Sequence, residues 1–119
     1  MAKRFLLVNR RAPHGTIHAQ ESLDVALVAA AFDQDISLAF LDDGVYQLVA
    51  HQRTDGIGTK NFSPAYRALR DYDIEKIYVE QESLAARGLR VADLLVAVTV
   101  LTQPQMAQLM AAQDMVLSF

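Results

Sequence analysis

The sequence predicts an α/β fold: a single three-layer α/β/α domain over residues 1–119, built on a mainly parallel five-stranded sheet. The chain of 119 residues is long enough for one hydrophobic core but too short for two. Half of it is apolar (52%) and a fifth is charged (21%), as in folded globular proteins. Short apolar runs alternate with stretches of helical periodicity, which is typical of parallel sheets with right-handed crossovers.

The first part of the chain contains two predicted strands and one helix. Residues 4–9 include four consecutive large apolar residues, a pattern that favours a strand buried on both faces. Thr16 can cap a helix that continues with apolar residues at helical spacing to about Phe32. Residues 36–41 repeat the short apolar pattern and are predicted to form the second strand.

The middle of the chain is predicted to be helical at both ends and irregular between them. The Asp-Asp-Gly turn at residues 42–44 is expected to start a helical stretch with apolar residues within 45–49. Residues 51–61 are polar, contain two glycines and show no periodicity, so we expect an exposed loop. A serine cap followed by proline predicts a short helix over residues 63–70.

The last third of the chain contains three predicted strands. Residues 76–80 are rich in β-formers, and residues 83–87 are predicted to form a brief helix that Gly88 ends. The apolar run at residues 94–99 predicts the fourth strand. Residues 115–119 predict the fifth.

A capping box marks the start of the last predicted helix. Thr102 and Gln105 have the spacing at which each side chain satisfies the backbone N–H of the other residue. Apolar residues within 106–110 then place a stripe on one face of this helix.

Composition excludes several classes of function. The net charge is −3, and no Lys/Arg cluster is present that could neutralise several phosphates, so direct nucleic-acid binding is not expected. No apolar run approaches the roughly 20 residues of a membrane span, and no signal-like segment is visible, so we expect a cytoplasmic protein. The sequence has no cysteine. No thiol of this chain can therefore attack a substrate, bind metal or carry sulfur.

The loop at residues 12–16 follows the first strand, where many α/β proteins bind phosphate on helix amides. It has one glycine and no G-x-G-x-x-G or P-loop pattern, so a loop shaped by packing is preferred over a nucleotide site. His14, His18 and Glu21 have spacings that a metal site could use, but solvated or interface histidines are the better interpretation. The sequence predicts no metal and no cofactor.

Two further arrangements suggest catalysis without requiring it. Ser22, His18 and Asp24 include the residue types of a hydrolase triad, but no nucleophile elbow presents the serine. The acids at residues 42–43 could supply a general base, although they are ordinary helix-start residues.

Glu80 ends the third predicted strand at the carboxyl edge, where open α/β sheets usually place their sites. Its carboxylate cannot form a persulfide.

Four segments resemble the DsrE/DsrF/TusBCD family, and within it the TusC/DsrF branch. The resemblance extends from about residue 4 to residue 119. The segments are Ala-Pro-His-Gly-Thr at 12–16, Asp-Asp-Gly-Val with Gln-Leu at 42–48, Tyr-Asp-Ile at 72–74, and Ser-Leu with Arg-Gly-Leu at 83–89.

The resemblance implies a subunit of a sulfur relay. In such complexes TusB-like, TusC-like and TusD-like chains form a heterohexamer with two copies of each. Persulfide sulfur passes from a TusA-type donor to a cysteine of the TusD-like chain, then to a TusE-type acceptor and towards 2-thiouridine at the wobble position of tRNA. The related complex DsrEFH serves sulfur oxidation.

Matching this chain to cysteine-bearing relatives places their sulfur-carrying position at Glu80. The resemblance therefore implies a non-catalytic interaction subunit. We expect its contacts with partners to involve Pro13, His14 and Gly15 in the first loop, and Val45 and Tyr46 after the glycine turn. The alternative is an independent small-molecule or nucleotide-binding enzyme that uses loop 12–16 and the Glu80 edge.

Overall fold

The computed structural model describes residues 3–11, 18–49, 69, 74–94 and 97–119, without the side chains of residues 18–20. Within these ranges the strands are β1 (Arg4–Asn9), β2 (Asp35–Phe40), β3 (Lys76–Glu80), β4 (Thr99–Leu101) and β5 (Met115–Ser118). The α-helices are α1 (His18–Ala31), α2 (Gln81–Ala86) and α3 (Gln103–Ala111). Two 3-10 helices, η1 (Asp42–Leu48) and η2 (Val91–Asp93), complete the described elements.

The five strands form one sheet in the order β4-β3-β2-β1-β5, and every neighbouring pair is parallel. The chain moves outward from β1 through β2 and β3 to β4. It then returns to place β5 on the other side of β1. This confirms the predicted α/β class and five-stranded parallel sheet, and it supplies the strand order.

Alternate side chains of the central strands enter two separate apolar clusters, one on each face of the sheet. On one face, buried residues of β1, β2 and β3 pack with α1. The buried residues on this face include Leu7, Leu38, Phe40, Val79, Leu23 and Ala26. On the other face, Leu6, Val8 and Ala39 pack with Met106 of α3. Helices therefore cover both faces, which confirms the three-layer arrangement.

Most element boundaries agree with the prediction, and β4 is the main correction. The strand was predicted over residues 94–99 but occupies Thr99–Leu101. Leu94 instead makes an isolated antiparallel bridge with Val49, and Val98 packs against the α1-side core from the segment before the strand. The apolar residues Leu94 and Val98, which contributed to the predicted pattern, therefore contact the core from outside the sheet. The edge strand itself is largely exposed.

The stretch after the glycine turn is a 3-10 helix, and it ends at Leu48 rather than including Val49. The predicted loop 51–61 and helix 63–70 lie outside the described residues apart from Leu69, which is buried in the core. Gly88 has φ +65, the left-handed conformation expected after a helix.

The capping box of α3 is confirmed. Gln105 donates its backbone N–H to Thr102 Oγ1 at 3.4 Å, and Thr102 donates its own N–H to Gln105 Oε1 at 2.9 Å. These two bonds satisfy backbone donors that the first turn of a helix leaves without partners.

Candidate functional site

The carboxyl edge of the sheet brings together the segments that follow β1, β2 and β3. The register pairs Asn9 with Phe40 and Phe40 with Val79, so the strands end side by side. Arg10, Asp42 and Glu80 lie at or just beyond those ends. Because all strands are parallel, their following loops meet at this edge, where α/β folds usually place binding sites.

Glu80 is held in place by a serine one helical turn later. It is 9% exposed, closes β3 and precedes the first residue of α2. Ser83 donates its hydroxyl to Glu80 Oε1 at 2.6 Å. The same hydroxyl oxygen accepts the backbone N–H of Asp42 at 2.8 Å. These two hydrogen bonds of the buried Ser83 hydroxyl join the Glu80 carboxylate of β3 to the start of η1, so the two segments form one connected polar unit.

The turn between β2 and η1 passes directly over the end of β1. Asp42 has φ 51, a left-handed conformation that costs a non-glycine residue about 1 kcal/mol or more. Gly44 follows, and its backbone N–H donates to Leu41 O at 2.8 Å. A Cβ atom on Gly44 would lie 1.9 Å from Asn9 O. Only glycine fits here without a backbone shift, which explains the glycine at the end of the Asp-Asp-Gly sequence.

An ion pair closes α2 onto η1 at the outer side of this turn. Arg87 Nη2 and Nε lie 3.0 and 3.1 Å from Asp43 Oδ1. Arg87 Nη1 also donates to Ser83 O at 3.1 Å. A weaker pair joins Arg10 Nε and Asp42 Oδ2 at 4.0 Å. Among the described residues of this edge, the basic side chains Arg10 and Arg87 are paired with the acidic side chains Asp42 and Asp43, so these residues do not form a patch of a single sign.

Two buried amides fix the backbone just after β1. Gln47 is 1% exposed and donates Nε2 to Arg11 O at 2.7 Å. Asn9 donates Nδ2 to Leu7 O at 3.2 Å and to Ala39 O at 3.3 Å. Asn9 Oδ1 is buried and accepts no hydrogen bond in the described part of the chain. These amides hold β1, β2 and η1 in register where the first loop departs.

The polar groups of this arrangement position one another through hydrogen bonds. The Ser83 hydroxyl already donates to a carboxylate and accepts a backbone N–H, and no histidine of the described residues is part of this unit. The Glu80 carboxylate can accept protons but has no sulfur with which to form a persulfide. The Glu80 carboxylate is thus fixed by hydrogen bonding at the carboxyl edge.

The predicted interface residues fall into three groups. Pro13, His14 and Gly15 lie outside the described residues. Tyr46 has 37% of its surface exposed and stands on the outside of η1. Val45 is completely buried and packs in the α1-side core. Its side chain cannot contact a partner in this conformation, so the Val45 expectation is corrected to a packing role.

The metal-site and triad candidates of the sequence lie on α1 and in the loop before it, and only part of them is described. The His14 loop and the His18 side chain lie outside the description, whereas Ser22 is buried and Asp24 exposed on α1. In the described ranges no group of three or more His, Cys, Asp or Glu is placed to hold a metal ion. Of the helices in those ranges, none combines the length and apolar character needed to cross a bilayer.

Sequence reasoning selected Glu80 but missed the residues that hold it. Ser83 stands three residues after Glu80 across a strand-to-helix junction, a spacing at which side chains share one helical face. Asn9 and Gln47 carried a different signal, since each is a polar residue within or directly after an apolar run. Buried amides at such positions usually satisfy backbone groups.

Known proteins resemble the chain in both sequence and fold. A model of the DsrE/DsrF-like family matches residues 3–119. The intracellular sulfur oxidation protein DsrF of Allochromatium vinosum is 58% identical over 95 residues, covering 80% of this chain and 70% of the relative. A TusC homolog of Vibrio parahaemolyticus is 40% identical over 110 residues, covering 92% and 93% of the two chains.

A more distant relative and a crystal structure extend the similarity to the full length. A TusC homolog of Pseudomonas aeruginosa is 33% identical over 118 residues, 99% of each chain. The crystal structure of the ychN protein from E. coli superposes with a TM-score of 0.84 and covers 100% of both chains at 22% identity. At that identity the second likeness establishes the fold alone.

Proposed function

The chain belongs to the DsrE/DsrF-like family of sulfur-relay proteins, and on that premise we propose that it is a non-catalytic interaction subunit of a sulfurtransferase complex. The sulfur-carrying cysteine of this complex lies on a partner chain. The observation that carries the proposal is chemical. The chain has no cysteine, and it has a hydrogen-bonded carboxylate at Glu80, the position that we take to correspond to the sulfur carrier of cysteine-bearing relatives.

The partners in this proposal are the two other small subunits of the relay. A TusB-like and a TusD-like chain join this one in a cytoplasmic heterohexamer with two copies of each. A TusA-type donor loads the cysteine of the TusD-like chain, and a TusE-type acceptor removes the sulfur. This chain contacts donor and acceptor only through the complex. It binds no nucleic acid directly, in keeping with its acidic net charge of −3.

The carboxyl edge supports a scaffold role because hydrogen bonds and an ion pair within this chain fix its geometry. Ser83 joins Glu80 to the η1 turn, and Arg87 joins Asp43 to α2. Such a fixed edge can present the exposed Tyr46 at a constant position to a neighbour. Rigid elements limit the conformational entropy that assembly must overcome.

Two destinations for the relayed sulfur are open to test. The first is 2-thiouridine formation at the tRNA wobble position, and relatives named TusC homolog support it. The second is sulfur oxidation, and a specific observation favours it. The relative named for intracellular sulfur oxidation is 58% identical, against 40% for the TusC homolog of Vibrio parahaemolyticus.

The primary test is co-expression of the tagged chain with the two neighbouring small subunits, followed by affinity purification and native mass spectrometry. We expect a stoichiometric complex in which a partner subunit, and not this chain, gains the mass of one sulfur atom from a persulfide donor. A Glu80→Cys variant serves as a positive control for labelling at the carrier position. Elution of the wild-type chain alone would overturn the proposal and favour a small-molecule enzyme instead.

Deletion of the gene distinguishes the two destinations. Loss of 2-thiouridine from hydrolysed tRNA, measured by liquid chromatography and mass spectrometry, identifies the thiolation pathway. Unchanged 2-thiouridine with impaired oxidation of stored or reduced sulfur identifies the oxidation pathway. A plasmid-borne wild-type copy should restore whichever phenotype is seen.

A further inference from the structure

β5 forms one edge of the sheet. The order of the described strands ends at β5, which pairs with β1 on its inner side. Met115 and Val116 point to opposite faces of the sheet, and each is 44% exposed. An edge strand presents a row of backbone N–H and C=O groups with which a further strand can pair.

The hydrogen bonds to β1 show which backbone groups of β5 point outward. Phe119 donates its N–H to Val8 O at 2.8 Å and accepts the N–H of Arg10 at 3.1 Å. Successive residues of a strand bond alternately to one side and to the other, so residues 117 and 115 bond to β1 in the same way. The N–H and C=O groups of Val116 and Ser118 therefore point outward. Within the described part of the chain, no hydrogen bond reaches them.

The sequence of β5 does not protect this edge from pairing. Proteins commonly protect an edge strand with lysine or other charges, with proline, with a bulge, or by making the strand very short. β5 has the sequence Met-Val-Leu-Ser, which contains neither a charged residue nor a proline. The strand at the opposite edge, β4, has only three residues. β5 is therefore the edge that is better suited to the addition of a further strand.

The outward groups of β5 match those of a second β5 strand that is related to the first by a two-fold axis. In such an antiparallel pair, Val116 lies opposite Ser118 of the second copy, and Ser118 lies opposite Val116 of the second copy. Opposed residues of this kind exchange both of their N–H···O=C bonds. Leu117 then lies at the axis, opposite Leu117 of the second copy. One register satisfies both copies, as a closed symmetric dimer requires.

Apolar side chains meet where an antiparallel pair brings them closest. Leu117 lies opposite Leu117 of the second copy, and Met115 lies opposite Phe119 of the second copy. Both are positions without direct hydrogen bonds, at which opposed Cα atoms are about 4.5 Å apart. These side chains share the α1 face of the sheet, because their β1 neighbours Phe5 and Leu7 belong to the α1-side cluster, as Phe119 does. Methionine sulfur beside an aromatic ring is a favourable contact.

The charges at the two ends of β5 do not oppose this contact. β5 and the residue that follows it contain no Lys, Arg, Asp or Glu. At the start of the strand, Asp114 lies 3.6 Å from Arg4, which Lys3 precedes. At its end, Arg10 lies 4.0 Å from Asp42. The two-fold axis brings the start of one β5 towards the end of the other. Each of these groups contains both signs, so no row of like charges faces itself.

We propose that β5 pairs in antiparallel orientation with β5 of a second copy of this chain, so that the two sheets join across a two-fold axis. The outward backbone groups call for an extended strand. A second copy provides that strand, because its backbone groups and its apolar side chains match those of the first in a single register. The contact goes beyond the proposed function and does not depend on it, since it joins two copies of the same chain.

The first test measures self-association of the purified chain by analytical ultracentrifugation at concentrations from about 1 µM to about 1 mM. Val116→Pro removes the outward N–H, which β1 does not use, and proline is tolerated at such positions of an edge strand. Val116→Thr is the matched control, because it keeps that N–H and a β-branched side chain. We expect a wild-type dimer whose Kd rises about tenfold or more in Val116→Pro and changes less than about threefold in Val116→Thr.

The second test measures the register of the contact. Because the chain has no cysteine, a single introduced cysteine can form a disulfide only with the same residue of another copy. Leu117→Cys places two thiols opposite each other at about 4.5 Å between Cα atoms, which is within the range of a disulfide. Val91→Cys is the control, because Val91 is an exposed valine (49%) in η2, away from β5. With oxidised glutathione, Leu117→Cys should form the disulfide dimer much faster than Val91→Cys.

Weaker self-association of Val116→Pro, together with selective crosslinking of Leu117→Cys, supports the proposal. A wild-type chain that remains monomeric at about 1 mM overturns it. A dimer that Val116→Pro and Val116→Thr affect equally, or one in which Leu117→Cys crosslinks no faster than Val91→Cys, overturns it in favour of another surface. If circular dichroism shows that Val116→Pro does not fold, the two crosslinking rates decide. Each of these outcomes leaves the proposed function intact, because binding to the neighbouring subunits is measured separately.

Discussion

Replacing Ser83 with alanine tests whether the carboxyl edge is held together by the serine hydroxyl. The substitution removes the 2.6 Å bond to Glu80 Oε1 and the 2.8 Å bond from the Asp42 N–H. Ser83 is 3% exposed and Glu80 is 9% exposed, so water cannot easily replace the lost partner of the carboxylate. Each buried group left without a partner costs about 1–3 kcal/mol.

The expected destabilisation is about 2–4 kcal/mol, because the Asp42 N–H is nearer to solvent and regains part of its hydrogen bonding from water. For a domain of this size, 1 kcal/mol corresponds to roughly 3–5 °C in Tm, so we expect the midpoint to fall by about 10 °C. Urea unfolding followed by circular dichroism measures the free energy directly, with an unchanged m value as the sign that the fold is retained.

Two comparisons make this prediction specific. Ser118→Ala removes an exposed hydroxyl from β5 and should change stability by less than about 0.5 kcal/mol. A double-mutant cycle that combines Ser83→Ala with Glu80→Ala should give a coupling energy of about 0.5–3 kcal/mol. A cost below about 0.5 kcal/mol for Ser83→Ala, or strict additivity in the cycle, would refute the idea that this hydroxyl organises the edge.

Three further predictions have defined outcomes. Gly44→Ala places a Cβ atom 1.9 Å from the carbonyl oxygen of Asn9 and should lower the free energy of unfolding in urea by more than about 3 kcal/mol. Gly88→Ala meets no atom within 4 Å, but Gly88 has a φ of +65, so the expected loss is about 1–2 kcal/mol. Equal costs would contradict the steric argument. The backbone N–H of Arg4, with its guanidinium charge, lowers the pKa of Asp114. Because the pKa of Asp114 is lower in the folded than in the unfolded state, Asp114→Asn should be less stable than the wild type at pH 7. This difference in stability should shrink as the pH falls through about 4 towards the lowered pKa. A difference that does not depend on pH would contradict the prediction. Thr102→Ala removes the cap of α3 and should cost about 1 kcal/mol in thermal unfolding, and an unchanged midpoint would show that the capping bond contributes nothing.

The central part of the fold was predictable because burial on both faces leaves a strong pattern. β1 and β3 occupy the predicted residues, and β2 differs by one residue at each end. The edge strand β4 was misplaced because an exposed strand needs few apolar residues. The apolar residues nearby, Leu94 and Val98, pack on the core from outside the strand. Strand order also depends on contacts between distant segments, which no local pattern encodes.

At the candidate site, the position of Glu80 was predictable but its environment was not. The end of a buried strand places a side chain at the carboxyl edge. The link from Ser83 to Asp42 joins residues 41 positions apart and depends on how η1 packs against α2. The burial of Val45 follows from the same packing. A short helical stretch with several apolar residues does not show which of them face inward.

The position of β5 beside β1 determines when the sheet can be completed during synthesis. Arg4 and Asp114 are hydrogen-bonded although they are 110 positions apart in the sequence. Both edges of β1 can therefore be paired only after β5, the last strand, has been synthesised. During synthesis the nascent chain exposes one side of β1 until residues 115–118 have left the ribosome. Pairing of β1 along both of its edges is therefore a late event, which follows synthesis of almost the whole domain.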